Sequence, residues 1–358
     1  MADDVISSFV PNSLDAASED SAQLPPGSAG TTIYLEGVLA GPRWFPDRGP
    51  PPLERCALTT LLFMSHFRAR CSLISFCLCL LLFSACTSSE SSPPPTAGQK
   101  EWTPLFNGKN LNGWTPKITG RAPGINKGNT FRVEDGKLTV GYDAYDQFDG
   151  QFGHLVSDTT FSHYVVAVEY RFLDGQAPGG PGWATENSGV MVHSQSAETM
   201  TRHQDFPISI EVQLLGSAGQ PQRPTANLCT PGTHVLMSDT LTTTHCINSD
   251  SKTYPGSEWV RVETRVLGDS LLQHRVNGTQ VLEYTNPQIG GGMVAHPDSS
   301  IKQDGTPLTS GHIAVQSESH PVQFRTIEVL NLRGCMDPEA ANYKSYYVAS
   351  APERCTYE

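Results

Sequence analysis

The chain has 358 residues, with 24 Lys and Arg against 36 Asp and Glu and a formal net charge of −12. No Lys/Arg cluster stands downstream of residue 70, so the basic face that phosphates demand is missing and a nucleic-acid partner is excluded. Charged residues make up only 17%, while Gly and Pro number 32 and 27, a polar, turn-rich composition that points to an all-β sandwich.

Residues 1–63 are rich in Pro, Gly, Ser and Asp and lack periodicity; they read as an upstream mistranslation or a disordered leader. Met64 opens a different segment. Arg68 and Arg70 form a basic head, an apolar run follows from Leu73 to Phe83, and Ser84-Ala85-Cys86 closes it. That order makes residues 64–85 a secretory signal, too short and badly flanked for a membrane span. Its end resembles the lipobox of bacterial lipoproteins. Cys86 is therefore expected to be the lipidated first residue of an exported protein, held at the cell envelope (periplasmic or outer-membrane surface) by its lipid alone. Residues 86–100, with Thr-Ser-Ser-Glu-Ser-Ser-Pro-Pro-Pro-Thr after the cysteine, read as a polar tether.

Four cysteines follow the tether: Cys229, Cys246, Cys335 and Cys355. An even number in an oxidising compartment implies disulfides, and Cys229–Cys246 with Cys335–Cys355 is the simplest of about three connectivities. Each bridge closes a short loop, a contribution of about 3 kcal/mol in the chain-entropy model. A zinc site is the rival reading, but no CxxC spacing supports it.

Strand patterns dominate the remainder. Thr130–Glu134 and Lys137–Val140 flank Asp135-Gly136, a tight hairpin turn. Strands are then expected at 164–172, 188–195, 208–215 and 259–267, followed by a second hairpin, 271–276 and 280–284, around Asn277-Gly278. The last two are expected at 311–319 and 322–332. No stretch carries a helical stripe, so the prediction is a two-sheet jelly-roll sandwich of antiparallel strands.

Alternation assigns the faces. Ile208, Ile210, Val212 and Leu214 share one side, with Glu211 and Gln213 on the other. Val190 and Val192 oppose Met191, His193 and Gln195; Ile313 and Val315 oppose Gln316, Glu318 and His320; Val166 and Val168 oppose Glu169 and Arg171. An antiparallel sandwich has a solvated face by default, but His, Gln and Glu concentrated on separate strands favour a groove for a polar ligand. In Val322–Val329 the apolar set slips by one residue, which calls for a β-bulge near Arg325-Thr326 that could aim Arg325 into that groove.

Trp102–Trp114 (WTPLFNGKNLNGW), Asn187–His193 (NSGVMVH), Ile210–Leu215 (IEVQLL), Glu258-Trp259-Val260, Val276-Asn277-Gly278 and Gly311–Arg325 together resemble the 3-keto-disaccharide hydrolase domain family. The resemblance covers residues 101–332. It implies a concanavalin-like jelly roll and an exported, often lipidated, sugar-acting protein with a carbohydrate substrate. Residues 333–358, from Gly334-Cys335-Met336-Asp337-Pro338 to Cys355, are similar to a short Cys-closed C-terminal module of exported bacterial proteins; a module this small leans on its disulfide. Calcium binding through Asp337 would have few oxygen ligands to draw on.

The chemistry implied by the resemblance starts from a ketone at C3 of a sugar, which acidifies the C2 hydrogen. It needs one base of near-neutral pKa and a donor or metal for the enolate oxygen. Glu211 is the expected base and His193 its rival. Arg325 or a divalent cation (Ca2+ or similar) would hold the oxyanion, and Gln213, Gln316, Glu318 and His320 would position the sugar. Trp183, in a Pro/Gly loop, would stack on a sugar face. Three readings compete with this one: Glu211 as a structural carboxylate paired with Arg171 or Arg325, a non-catalytic carbohydrate-binding protein, and an adhesive surface lipoprotein.

Overall fold

The computed structural model describes residues 98–357; the leader, the export signal, Cys86 and most of the tether lie outside them. The strands in chain order are β1 (Trp102–Pro104), β2 (Trp114–Ile118), β3 (Phe131–Glu134), β4 (Lys137–Val140), β5 (Gly153–Phe161) and β6 (His163–Phe172). They continue with β7 (Asn187–Ser194), β8 (Ile210–Leu215), β9 (Asn227–Cys229), β10 (Thr233–Met237), β11 (Thr240–Thr242) and β12 (Cys246–Ile247). The last are β13 (Val260–Leu267), β14 (Leu271–Val276), β15 (Thr279–Ile289), β16 (Gly311–Ser317), β17 (Val322–Asn331), β18 (Arg333–Gly334) and β19 (Ala349–Ser350). Among the described residues helix is confined to four short 3-10 turns.

Two antiparallel sheets make the sandwich. One has ten strands in the order β11-β10-β15-β14-β13-β6-β17-β4-β3, with β1 beside β17; the other has seven, β12-β9-β8-β7-β16-β5-β2. Alternation explains which residues lie between them. Tyr164, Val166, Val168, Tyr170 and Phe172 of β6 meet Val190 and Val192 of β7, Ile210, Val212 and Leu214 of β8, and Ile313 and Val315 of β16 in one core. Each such side chain taken out of water contributes about 1.5–3 kcal/mol. The two hairpins turn at Asp135-Gly136 and Asn277-Gly278, where both residues of each pair have positive φ, as a type I′ turn requires.

The expected bulge is present: the β17–β6 register shifts between Phe324 and Thr326, which keeps Ile327 and Val329 in the core after Val322 and Phe324. Cys229 is joined to Cys246 and Cys335 to Cys355. The first bridge ties β9 to β12 at a directly opposed pair. After Leu332 the chain forms the parallel pair β18–β19. It is tied back by Val348 N–H donating to Leu332 O and by the Lys344–Glu101 ion pair. Among the described residues no helix is long and apolar enough to cross a membrane.

Candidate functional site

The outer face of the seven-stranded sheet is where the polar residues gather. With Ile210, Val212 and Leu214 committed to the core, Glu211 and Gln213 of β8 must point away from it. Register extends the pattern across the sheet. Gln213 pairs with Gly189 on one side and Asn227 on the other. Beyond β7, Gln316 pairs with His154, and His154 with Lys117. One row lower, Cys229 pairs with Glu211, Glu211 with Met191, Met191 with Ala314 and Ala314 with Val156.

Gly189 lets this face converge. A Cβ there would stand 2.7 Å from Glu211 Oε1 and 3.0 Å from Gln316 Oε1. Side chains from the strands on either side therefore lean over the bare backbone of β7. Glu211, Gln213 and Glu318 line a cleft of about 330 Å³ together with Asn187, Trp183 and Phe206; Pro231, His245, Met293 and the Cys229–Cys246 bridge complete its rim. One wall is aromatic. Trp183, 57% exposed, stacks on Phe152 at 5.9 Å; Phe152 meets Phe206 at 5.0 Å, and Phe206 meets the His154 ring edge-on at 5.7 Å.

Burial disfavours the ionised form of both cleft carboxyl groups. Burial pushes Glu211 up to about 8, while neighbouring Gln316 favours its ionised form without closing a hydrogen bond of full geometry. Burial also raises Glu318 well above the carboxylate range, and the charge of Glu211 raises it further. Neither forms a salt bridge among the described residues. Two buried acids that resist ionising together can divide base and acid duties. On the same face, His154 is pushed down to about 3 by burial and by the Lys117 ammonium; burial alone lowers Lys117 to about 8.

Polar atoms here are left without partners. Eleven buried side-chain N and O atoms among the described residues make no hydrogen bond, and six of them are both ring nitrogens of His154, both amide atoms of Gln316, Asn187 Oδ1 and Glu318 Oε2. Each such group costs about 1–3 kcal/mol. Their concentration on one face marks a place built for something polar to occupy.

The expected site residues divide. Glu211, Gln213, Gln316, Glu318 and Trp183 come together, and three others do not. His193 leaves the cleft because β7 bulges beside it. His312 and Ala314 of β16 face Ser194 and Met191, so two residues of β7 oppose one. His193 takes a positive φ of 51° there, and its Nε2 reaches Gly268 O at 2.9 Å, at the β13–β14 turn. Simple alternation, which put His193 beside Met191, fails at that residue. Arg325 lies on the ten-stranded sheet. Its bulge turns it outward, where it pairs with Glu169 at 2.7 Å and covers Trp259 at 4.8 Å. It therefore reaches neither Glu211 nor the cleft. His320 turns inward at the end of the sandwich, with Nε2 at 2.9 Å from Leu173 O and its ring edge-on to Phe172.

Lys117, His154, Asn187 and Phe206 were not anticipated. The available sign for the first two was a lysine and a histidine inside apolar runs, Trp114–Ile118 and Gly153–Val156; Asn187 and Phe206 carried no local sign. As to metals, the one group of three His, Cys, Asp or Glu among the described residues with ligand atoms within 4.8 Å of one another is Cys229, His245 and Cys246, and its two sulfurs are spent on each other. Asp337 accepts from Glu339 N–H and from the Tyr357 hydroxyl, so both of its oxygens have partners.

Residues 101–330 match the model of the 3-keto-alpha-glucoside-1,2-lyase-like domain. A comparison with curated proteins found no match. Among solved structures, a putative glycosyl hydrolase from Parabacteroides distasonis is similar at 17% identity and a TM-score of 0.39, over 65% of this chain and 100% of that one. A Bacillus licheniformis beta-glucanase is similar at 10% identity and 0.38, over 65% and 99%. The carbohydrate binding module CBM66 from Bacillus subtilis is similar at 8% identity and 0.33, over 65% and 96%.

Proposed function

The chain belongs to the 3-keto-alpha-glucoside-1,2-lyase-like family, and on that premise we propose that it cleaves the glycosidic bond of 3-keto-glycosides by proton abstraction and elimination. The observation that carries the reading is the buried Glu211 and Glu318 on the floor of an aromatic-walled cleft. Glu211, whose ionised form the neighbouring Gln316 amide favours, takes the C2 proton, and the electron pair moves into an enolate at C3. The enolate collapses to form a C1–C2 double bond as the C1–O bond breaks. Glu318, held protonated, gives its proton to the departing oxygen. Water then adds across C1–C2, releasing the free 3-keto sugar, and exchange of one proton between the two carboxyls through water resets them. General acid–base transfer of this kind contributes roughly 10²–10⁴-fold.

Gln213, Gln316 and Asn187 offer amides to the sugar hydroxyls, and the exposed Trp183 ring offers a stacking face. The activity belongs, in this reading, to an exported protein anchored through a lipid on Cys86. A non-catalytic carbohydrate-binding role is the second reading, favoured by the exposure of Trp183 and the unpartnered amides, which would serve binding alone. Incubating the protein with a 3-keto-glucoside and an ordinary glucoside, and following release of the aglycone, separates the two. The proposal expects release from the former, lost in Glu211→Gln with sugar binding retained. Binding without release from either substrate would leave only the second reading.

A further inference from the structure

Abstracting a proton next to a ketone places negative charge on the C3 oxygen, and the charge has to be met by a donor. Arg325 is on the other sheet, engaged with Glu169, so the donor must come from elsewhere. On the face that carries Glu211, two side chains stand out. His154 is 0% exposed, and neither of its ring nitrogens has a partner. Lys117, beside it in register, is 1% exposed, and its ammonium makes only two long contacts, 3.3 Å each, to the carbonyls of Ile118 and Arg202. No carboxylate pairs with Lys117 among the described residues. A buried cation without a counter-charge is expensive, and a negative charge forming nearby is what would relieve it.

We infer that His154 is the donor that meets the developing C3 oxyanion, with Lys117 behind it as a positioning residue. The inference rests on the proposed 3-keto-glycoside reaction and assigns within it the role expected of Arg325. The path from the proton-abstracting group is continuous. Glu211 Oε1 and Gln316 Oε1 share the space over Gly189, and Gln316 is the cross-strand partner of His154. Gln316 also has both amide atoms without partners; like His154 it is 0% exposed, so both would meet a sugar only once the cleft opens toward β5. Burial and the neighbouring ammonium keep His154 neutral. A neutral imidazole carries one N–H, and enzymes use it in that form to polarise a carbonyl. The Lys117 ammonium adds a fixed positive field that costs no reorganisation when charge appears. Phe206, which lines the cleft and lies edge-on against His154, covers the imidazole, so the inference includes a turn of that ring as substrate enters.

The test is exchange of the C2 hydrogen with D2O, followed by NMR on a 3-keto-glucoside with a poor leaving group. Exchange reports enolate formation separately from cleavage. His154→Phe, which keeps the ring volume and removes both nitrogens, is expected to slow exchange and kcat together by roughly 10²–10³-fold, the range for loss of one oxyanion donor, with KM little changed. Lys117→Met, which keeps the stem, should slow both by about tenfold. Exchange and kcat at the wild-type level in folded His154→Phe, or a loss confined to KM, would overturn the inference. Should His154→Phe not fold, folded Lys117→Met with unchanged exchange overturns it equally. If the wild-type protein gives neither exchange nor cleavage, the proposed reaction has failed rather than the role given to His154.

Discussion

Replacing Gly189 with alanine isolates the geometry of the cleft from its chemistry, because the substitution removes no functional group. The backbone at Gly189 lies outside the left-handed region, and the new methyl would meet Glu211 Oε1 at 2.7 Å, Glu211 Cγ at 2.9 Å and Gln316 Oε1 at 3.0 Å. The two oxygens are far ends of flexible side chains and Cγ follows the carboxylate, so the sheet survives and the carboxylate moves. Restoring ordinary contact at about 3.6 Å asks the carboxylate to shift by roughly 1 Å, and a misplacement of that size costs on the order of 10²-fold in rate. Meanwhile glycine-to-alanine at a compatible strand position gains roughly 0.4–1 kcal/mol from the unfolded state, which offsets part of the crowding. The expected result is kcat/KM on a 3-keto-glucoside down about 100-fold with Tm within a few degrees of wild type. Wild-type turnover in a folded Gly189→Ala protein would refute the reasoning, since the position of Glu211 would then not matter. A collapse of Tm with activity lost in proportion would make the glycine a packing residue only.

Four further outcomes follow from the same face. Glu211 is raised to about 8 by burial, so the folded protein binds more protons than the unfolded chain between the ordinary glutamate value and about 8. Its contribution to stability is full below the ordinary value and is lost as pH rises toward 8. Tm should fall over that interval, and Glu211→Gln should flatten the fall; an unchanged slope in the variant refutes the assignment. Glu318→Gln should keep cleavage of a 3-keto-glucoside with a good leaving group such as 4-nitrophenol and lose roughly 10²-fold or more with an alkyl one, whereas an equal loss on both would remove Glu318 as proton donor. Trp183→Ala, truncating an exposed ring stacked on Phe152, should weaken sugar binding about tenfold, some 1.4 kcal/mol, with little change in Tm, as read by calorimetric titration. Replacing both Cys229 and Cys246 with alanine should cost about 3 kcal/mol by denaturant unfolding; a smaller loss would mean that the β9–β12 pairing holds without the bridge.

Legibility followed locality. The two Gly-containing hairpin turns, the alternation of Ile210–Leu214 and the bulge at Arg325 are local patterns, and all three could be read from the residues. What stayed hidden needed knowledge of partners. All eight residues of β7 are buried, and so are the first five of β5. Where both faces of a strand are covered, sequence contrast no longer separates them, so His154 showed only as a histidine inside an apolar run. His193 escaped because a single residue of positive φ inverts everything alternation says after it. Arg325 shows a different gap: the bulge was legible, but which sheet the strand joins is set by long-range pairing, and that decided which face the guanidinium would occupy.

The unpartnered groups also say what kind of ligand the cleft suits. Among the described residues no lysine or arginine lines the cleft to receive an anion. The atoms left free include donors and acceptors in close alternation: the imidazole of His154, the full amide of Gln316, the carbonyl of Asn187 and one oxygen of Glu318. Only a ligand whose groups both give and accept hydrogen bonds can satisfy such a set, and a hydroxyl does both. The apolar wall of Trp183 and Phe206 asks for a flat C–H face beside those hydroxyls. A sugar ring has both properties. In the proposed reaction the element a plain polyol lacks is an atom that becomes negative near Lys117 and His154, which an oxidised C3 would supply. That is why discrimination between a 3-keto sugar and its alcohol should lie on the β2–β5 side of the cleft, away from Glu211, and why Lys117→Met should narrow the preference while leaving the affinity for the unoxidised sugar unchanged.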